Sequence, residues 1–325
     1  MALIVVLWIF IFLFVVAFDF SAAVREEGMA AHRYAEEAEG YYLALAGFQQ
    51  GIYELMKLSA KTGQVAAPQG SDVFEGNWIK GNLGGGIYEV RFVDESGKIN
   101  INRITDDTLR LVLAHLGVEE KRRNIIADSV MDWRDEDDLH RLNGAESDYY
   151  LTLSPPYTAR NGPFDSVEDL LWVRGVTPEI FYGREGGVGL QEVFTVDSQS
   201  AVNLRTAPPA VCVALLGVSL EKCQAFIDQR AKLSEKTLGD LLRLLGIADD
   251  DLIRRQVTFA NPTVITIEAK GYQANSTTER QVKGVVRMLG GDRGYDLLRW
   301  IDRDSPKGIR STGFQYEEGD SQPAS

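Results

Sequence analysis

The sequence predicts an α+β protein: a long N-terminal helix packed on an antiparallel sheet, with a large helical domain inserted between strands. Three observations predict it. A charge-free opening, MALIVVLWIFIFLFVVAF, runs without proline into an amphipathic stretch that ends near Lys61. Two alternating segments near the other end, TVITIEAKGY (263–272) and RQVKGVVRML (280–289), flank the turn-rich QANSTTE and read as an antiparallel hairpin. Between them the middle of the chain is helical in pattern and repeats itself.

Residues 1–62 read as one helix. Its first 18 residues carry no charge and as a helix span about 27 Å, close to the hydrocarbon thickness of a bilayer. A signal peptide usually has a basic start, a shorter apolar run and a small-residue cleavage site; here the basic start is absent and Asp19 follows the run directly, so an uncleaved membrane segment is expected over 1–18. Further on, Tyr41, Leu45, Phe48, Ile52 and Leu55 recur at spacings of four, three, four and three and share one helical face. Gly28 and Gly40 are the points where such a helix can bend.

Residues 63–100 read as the first part of the sheet domain. IYEVRFV (87–93) alternates like a strand, ESGK makes a turn, and ININ resumes the strand. Residues 101–250 read as the inserted helical domain, 251–318 as the C-terminal β part, and the tail GDSQPAS (319–325) as disordered.

Within the insert, SGKININRITDDTLRLVLAHLGV (96–118) parallels SQSAVNLRTAPPAVCVALLGV (198–218). GPFDSVEDLLWVRGV (162–176) parallels LSEKTLGDLLRLLGI (233–247). Ser166 and Thr237 stand where a helix is capped, with Asp169 and Asp240 three residues later, and Gly175 and Gly246 suit a left-handed C-terminal cap. The repeats resemble helix-hairpin-helix and related SAM-like units, many of which bind DNA through a Gly-apolar-Gly hairpin. Here the hairpins read GVT (175–177), GVS (217–219) and GIA (246–248), each without the second glycine, and Asp249 to Asp251 follow the last. A net charge of −13 and a pI of about 4.8 add a general repulsion for nucleic acid. The repeats therefore read as packing modules.

The totals exclude other classes. With 45% hydrophobic and 25% charged residues the chain is a folded protein, and 325 residues suffice for two cores. Two cysteines, Cys212 and Cys223, cannot make a disulfide framework; they could pair in an oxidising compartment, but read first as thiols buried in a helical segment. No nucleophile motif, phosphate loop or His-rich cluster occurs, so no enzyme is expected.

The densest chemistry lies in WRDEDDLHRLNGAESDYY (133–150). Residues 132–148 hold seven acids against Arg134 and Arg141. Asp135, Asp137 and Glu146 have the first, third and twelfth spacing of an EF-hand. Leu139 and His140 stand where that loop needs an oxygen ligand and a glycine, so this is not one. Asn143-Gly144 can still turn the chain to bring Glu146 back to Asp135 and Asp137, and the flanking Trp133, Tyr149, Tyr150 and Leu151 suggest that the loop packs on the body. A hard-cation site and a solvated acidic face both fit these residues.

Taken together, the chain resembles the large minor pseudopilin of type II secretion, the general secretion protein K (GspK) family. The resemblance rests on the charge-free helix running into REEGMAAHRYAEEAEGYYLALAGFQQGIYEL, on ESGKININ, on ADSVMDWRDEDDLHRLNGAESDYYLTLSPPYTARNGPFDSVEDLLWVRGV, and on VNLRTAPPAVCVALLG followed by AFIDQR. It implies a pilin-like fold, structural calcium (one or two ions) held by Asp135, Asp137, Glu146, Asp148 and Asp132, and no catalysis. It also implies a place at the tip of a secretion pseudopilus, started together with the smaller minor pseudopilins I and J, with contacts to other pseudopilins and exported substrate. Tyr41, Leu45, Phe48, Ile52 and Leu55 are then expected to pack on partner helices. With Met1 at or next to the mature start, Val5 stands where most pilins carry a glutamate, and the resemblance implies this, since the family's K subunit characteristically lacks that glutamate. A subunit with no neighbour above it has no amine to neutralise an acid in lipid. The expected location is the inner membrane, single-pass, with the soluble domain in the periplasm. A membrane-anchored DNA-binding protein is the alternative.

Overall fold

The computed structural model describes residues 2–62, 74, 76–184, 187–198, 201–230, 238–247, 255–259, 262–274, 276, 278–289 and 294–304. The expectations for the linker after Lys61, for Thr237, for Ala248 to Asp251 and for the tail lie outside the described residues.

Helix α1, Ala2–Thr62, is continuous. It is long and apolar enough to cross a membrane; its apolar window has a mean hydropathy of 3.0 and none of it is buried. From about Glu36 the same helix lies on an antiparallel sheet. The strands are β1 (Ile79–Leu83), β2 (Gly86–Asp94), β7 (Val264–Gln273), β8 (Glu279–Met288) and β9 (Tyr295–Asp304), in the order β1-β2-β7-β8-β9. The expected β7–β8 hairpin is present, with Ile267 opposite Gly284. The strands β1 and β9 were not singled out in the sequence, and they form the two edges of the sheet.

Phe48, Ile52 and Leu55 are buried between helix and sheet beside Val90, Phe92, Ile265, Ile267, Val282 and Val286, with Tyr41 at the margin and Leu45 half-buried. Burying each large side chain contributes about 1.5–3 kcal/mol. This corrects the expectation that Phe48, Ile52 and Leu55 pack on partner helices: their face is already covered by the chain's own sheet. Gly40 marks a close approach. A Cβ at Gly271 on β7 would lie 2.2 Å from its carbonyl oxygen, so the glycines let helix and strand touch backbone to backbone.

The helical domain enters between β2 and β7. It has its own core, running from Ile99 to Val257 and separate from that under α1. Its first half begins with β3 (Ile99–Asn100) and runs through α2 (Asp106–His115), α3 (Glu120–Arg134), α4 (Ser147–Tyr150), a 3-10 turn (Val167–Trp172), α5 (Pro178–Tyr182) and α6 (Leu190–Val193). It closes on β4 (Phe194–Thr195), which pairs in parallel with β3. The second half runs from β5 (Val202–Asn203) through α7 (Pro209–Leu216), α8 (Leu220–Arg230) and α9 (Leu238–Leu244) to β6 (Val257–Thr258), parallel to β5. ININ therefore does not resume the main sheet. It opens the helical domain, because Asn100 turns its side chain inward and bonds the second half-strand's surroundings through Val196 and Ser198.

The turn read from ESGK is a junction. Glu95 accepts from Thr195 on β4 and from Thr266 on β7, so one buried carboxylate ties insert to sheet. Burial pushes its pKa up, but Lys98 and the two hydroxyls outweigh this and hold it below the usual value. Asp94 accepts from Ser96, Asn203 and Thr206.

Candidate metal centre

Helix α3 carries the framework. Asp128 and Asp132 stand one turn apart on it and both are buried. Asp128 pairs with Arg110 and accepts from the backbone N–H (3.0 Å) and side-chain amide (2.9 Å) of Asn143. Asp132, fully buried, accepts from the N–H of Arg141 at 3.0 Å and faces the Arg141 guanidinium at 3.3 Å. These two acids grip the returning segment 141–144 onto the helix. Gly144 is required there, since a Cβ would fall 1.8 Å from Asp132 Oδ2.

The loop is then aimed by aromatic packing. Trp133 meets Tyr150 edge-on at 5.2 Å and stacks on Phe164 at 6.2 Å; Tyr150 is fully buried and accepts from the N–H of Arg174 through its hydroxyl. Arg174 also donates to the carbonyl of Gly144. Trp133 and Tyr150 pack on the body as expected, whereas residues 136–142 of the loop and Leu151 are exposed.

Beyond the end of α3, Asp135, Asp137 and Glu146 each place a carboxylate oxygen within 4.8 Å of the other two. Glu146 is 1% exposed and neither of its oxygens has a partner; Asp135 Oδ1 is likewise buried and unpartnered. An unpaired buried carboxylate is costly, and the titration reflects it. Burial first, then the neighbouring Asp132, Asp135, Asp138 and Asp137, push the Glu146 pKa up to about 7. Burial and Asp137 also raise Asp135, against Arg141 and Arg134.

The donor set is all oxygen, which suits a hard cation. Oxygens on opposite sides of an ion bound at about 2.4 Å lie at most about 4.8 Å apart, so the three carboxylates can be bridged by one ion. Of the five residues named from sequence, the structure brings together Asp135, Asp137 and Glu146. Asp132 has its oxygens engaged by Arg141, and Asp148 is exposed outside the cluster, accepting from the N–H of Tyr149. Asn161 was missed. Its φ is +49°, its amide donates to Asp137 O and Asp138 Oδ1, and its own side-chain oxygen is buried without a partner. Only the Arg-Asn-Gly tripeptide hinted at it, as a left-handed turn signal.

Comparison with known proteins places this centre. Residues 93–183, which contain the whole acidic loop, match the family model of type II secretion system protein K. The resemblance to the protein K family holds. A protein K from Pseudomonas aeruginosa is 26% identical over 229 residues, covering 66% of this chain and 67% of the relative. The Aeromonas hydrophila protein K is 32% identical over 114 residues, 35% of this chain and 33% of the relative. Among solved structures, the crystal structure of the GspK-GspI-GspJ complex from enterotoxigenic Escherichia coli holds a chain that matches with a TM-score of 0.63. That match has 18% identity and covers 86% of this chain and all of the other. The likeness of fold thus covers more of this chain than the sequence matches do.

Proposed function

We propose that this chain is the calcium-binding minor pseudopilin at the tip of a type II secretion pseudopilus. It starts assembly with the minor pseudopilins I and J and supports protein export. One observation carries the reading: the stretch matched to protein K encloses a buried carboxylate, Glu146, with no partner and two further carboxylates in coordinating range.

Asp135, Asp137 and Glu146 would hold calcium as a structural ion. It would supply the counter-charge that these acids lack and so fix the loop to α3. Before assembly α1 would anchor the chain in the inner membrane, with both folded domains in the periplasm. Partner helices would meet α1 along residues 3–35, which are exposed and include Val5. The role is architectural rather than catalytic.

The test mixes the full chain in detergent with the minor pseudopilins I and J and follows co-elution in calcium and in chelator. A complex of the three supports the tip role, and its absence in both conditions overturns it. Tight, salt-sensitive binding to duplex DNA by the chain alone would favour the DNA-binding alternative. A rise in Tm with calcium, unmatched by magnesium and lost in Glu146→Ala, supports the ion; no rise with calcium overturns it.

A further inference from the structure

The helical domain and the sheet meet over a narrow, polar joint. The chain leaves the sheet at Asp94 and re-enters it at Val264, and because Asp94 pairs with Ile265 the exit and the re-entry lie side by side. Among the described residues, the hydrogen bonds between the two domains gather at this crossing. Asp94 accepts from Asn203 and Thr206, Glu95 accepts from Thr195, and Ser198 donates to the carbonyl of Lys98. Gly97 comes so close to Thr206 that a Cβ there would lie 2.9 Å from the Thr206 carbonyl carbon. One ion pair reaches farther out: Asp197, just after β4, meets Arg299 on β9 at 3.2 Å.

Beside the joint lies an open cleft of about 900 Å³. Its floor is the face of the sheet turned away from α1, where Arg91, Glu268 and Lys283 alternate with the residues buried under the helix. Its roof includes Gln191 on α6 and Leu220 and Gln224 on α8. The cations of the floor are held within the sheet, Arg91 and Lys283 both on Glu268, and so do not tie the roof down. Each domain keeps its own apolar core, and a small polar contact between separate cores favours relative motion.

We propose that the helical domain is hinged on the sheet at Asp94–Lys98, and that the Asp197–Arg299 pair is the latch that sets the opening of the cleft. The bonds at the joint sit on the pivot and keep their partners through a small rotation, whereas the pair farther out has to part before the cleft can widen. Both members of that pair already touch water, Asp197 with 16% and Arg299 with 29% of its side chain exposed, so solvent can take the place of either partner. As the latch parts, the helical domain moves as one body and carries the acidic loop with it, while α1 and the sheet stay together. The hinge depends on neither the ion nor the partners proposed above.

Double electron–electron resonance on the full chain in detergent reads the opening. Spin labels go on Gln191→Cys and Asn82→Cys, both exposed and one in each domain. Cys212 and Cys223 are fully buried and escape the label, and a chain without the new cysteines checks this. With the latch intact the expected result is one distance. Arg299→Gln and Asp197→Asn should each add a second distance, in calcium and in chelator alike. Asp197→Arg combined with Arg299→Asp should restore the single distance, because the pair is rebuilt with its charges exchanged. Arg91→Gln, which breaks a pair lying wholly within the sheet, should leave the single distance as it is. Distances unchanged in both Arg299→Gln and Asp197→Asn overturn the proposal. So does an exchanged pair that fails to restore the single distance, or an Arg91→Gln chain that opens as far as Arg299→Gln.

Discussion

The two halves of the helical domain answer the same structural problem with the same residues, and then diverge at one loop. In the first half the side chain of Asn100 accepts from the N–H of Asn102, and its carbonyl accepts from Arg103 and Ile104. In the second, Asn203 accepts from Arg205, and its carbonyl from Thr206 and Ala207. Arg134 at the end of α3 donates to the carbonyls of Ile101 and Ile104, and Arg230 at the end of α8 donates to those of Leu204 and Ala207. Two residues before each arginine stands an aspartate, and there the likeness stops. Asp228 is exposed and accepts from Gln224, whereas Asp132 is fully buried under the segment 141–144. Seven residues join α8 to α9, but 32 join α3 to the 3-10 turn. The longer excursion folds back on its helix and turns an ordinary exposed acidic face into a buried one. The proposed metal site would thus arise from burying charges that the scaffold elsewhere leaves in water.

The sharpest way to break this contrast is at Gly144. A methyl group there would overlap Asp132 Oδ2, so Gly144→Ala must push the Asp132 carboxylate off its bonds to Arg141 or lift the loop off α3. We expect a loss of about 4 kcal/mol in urea unfolding, in chelator and in calcium alike, among the largest that single substitutions give. Asp228→Ala, at the matching place in the other half, should change stability by no more than about 0.5 kcal/mol. Comparable losses at both sites would mean that the loop is not gripped as described.

Next in size is Glu146. Its folded pKa of about 7 lies above the ordinary 4.5, so between those values the folded chain holds more protons than the unfolded one. Stability of the metal-free chain therefore falls as pH rises from about 4.5 to 7, then levels. Glu146→Gln should remove that slope and stabilise the metal-free chain at pH 8 by up to about 3 kcal/mol, the worth of the shift. With calcium the sign reverses, because binding needs the ionised carboxylate and weakens about tenfold per pH unit below 7. Unfolding curves across pH 4–8, with chelator and with calcium, read both.

The shared scaffold should instead respond symmetrically. Asn100→Ala and Asn203→Ala each remove a buried turn-forming side chain and should each cost about 2 kcal/mol. The two losses should match closely, since the Asn203 amide donates to buried Asp94 at 3.1 Å and the Asn100 amide donates to the carbonyls of Val196 and Ser198. A marked excess at Asn100 would mean that the first half depends on its turn more than the second does.

How far the sequence disclosed all this differs by residue. The long helix, the hairpin and the repeat were legible because period and turn chemistry are local properties. Asp135, Asp137 and Glu146 were legible as a set because Asn143-Gly144 reverses the chain between them. Asp148 was named with them, yet lies outside the cluster: α4 starts just after Glu146, and nothing in the acid pattern shows where that helix turns its side chains. The pairing of Asp132 with Arg141 needs the fold, because eight residues lie between them and the grip on the loop comes from α3. The equivalence of Arg134 and Arg230 was available in MDWR and IDQR, but it becomes meaningful only once both guanidinium groups are seen on turn carbonyls. The face of α1 was read correctly as apolar and assigned to the wrong partner, since periodicity reports that a stripe is buried, not what buries it.

The smallest predicted effect tests the cap of the 3-10 turn in the first half. Asp169 reaches back to accept from the N–H groups of Asp165 (3.0 Å) and Ser166 (3.1 Å) and from the Ser166 hydroxyl (2.9 Å). The sequence pattern pointed to Ser166, but the geometry puts most of the bonds on the carboxylate three residues later. Asp169→Ala strands two backbone donors at the start of the 3-10 turn and should cost about 1 kcal/mol. Ser166→Ala leaves both of those bonds in place and removes only the hydroxyl, for about 0.5 kcal/mol. The ratio matters more than either value. If Ser166→Ala proved the costlier, the hydroxyl would be capping the turn itself, and the carboxylate would be a surface charge that happens to lie near it.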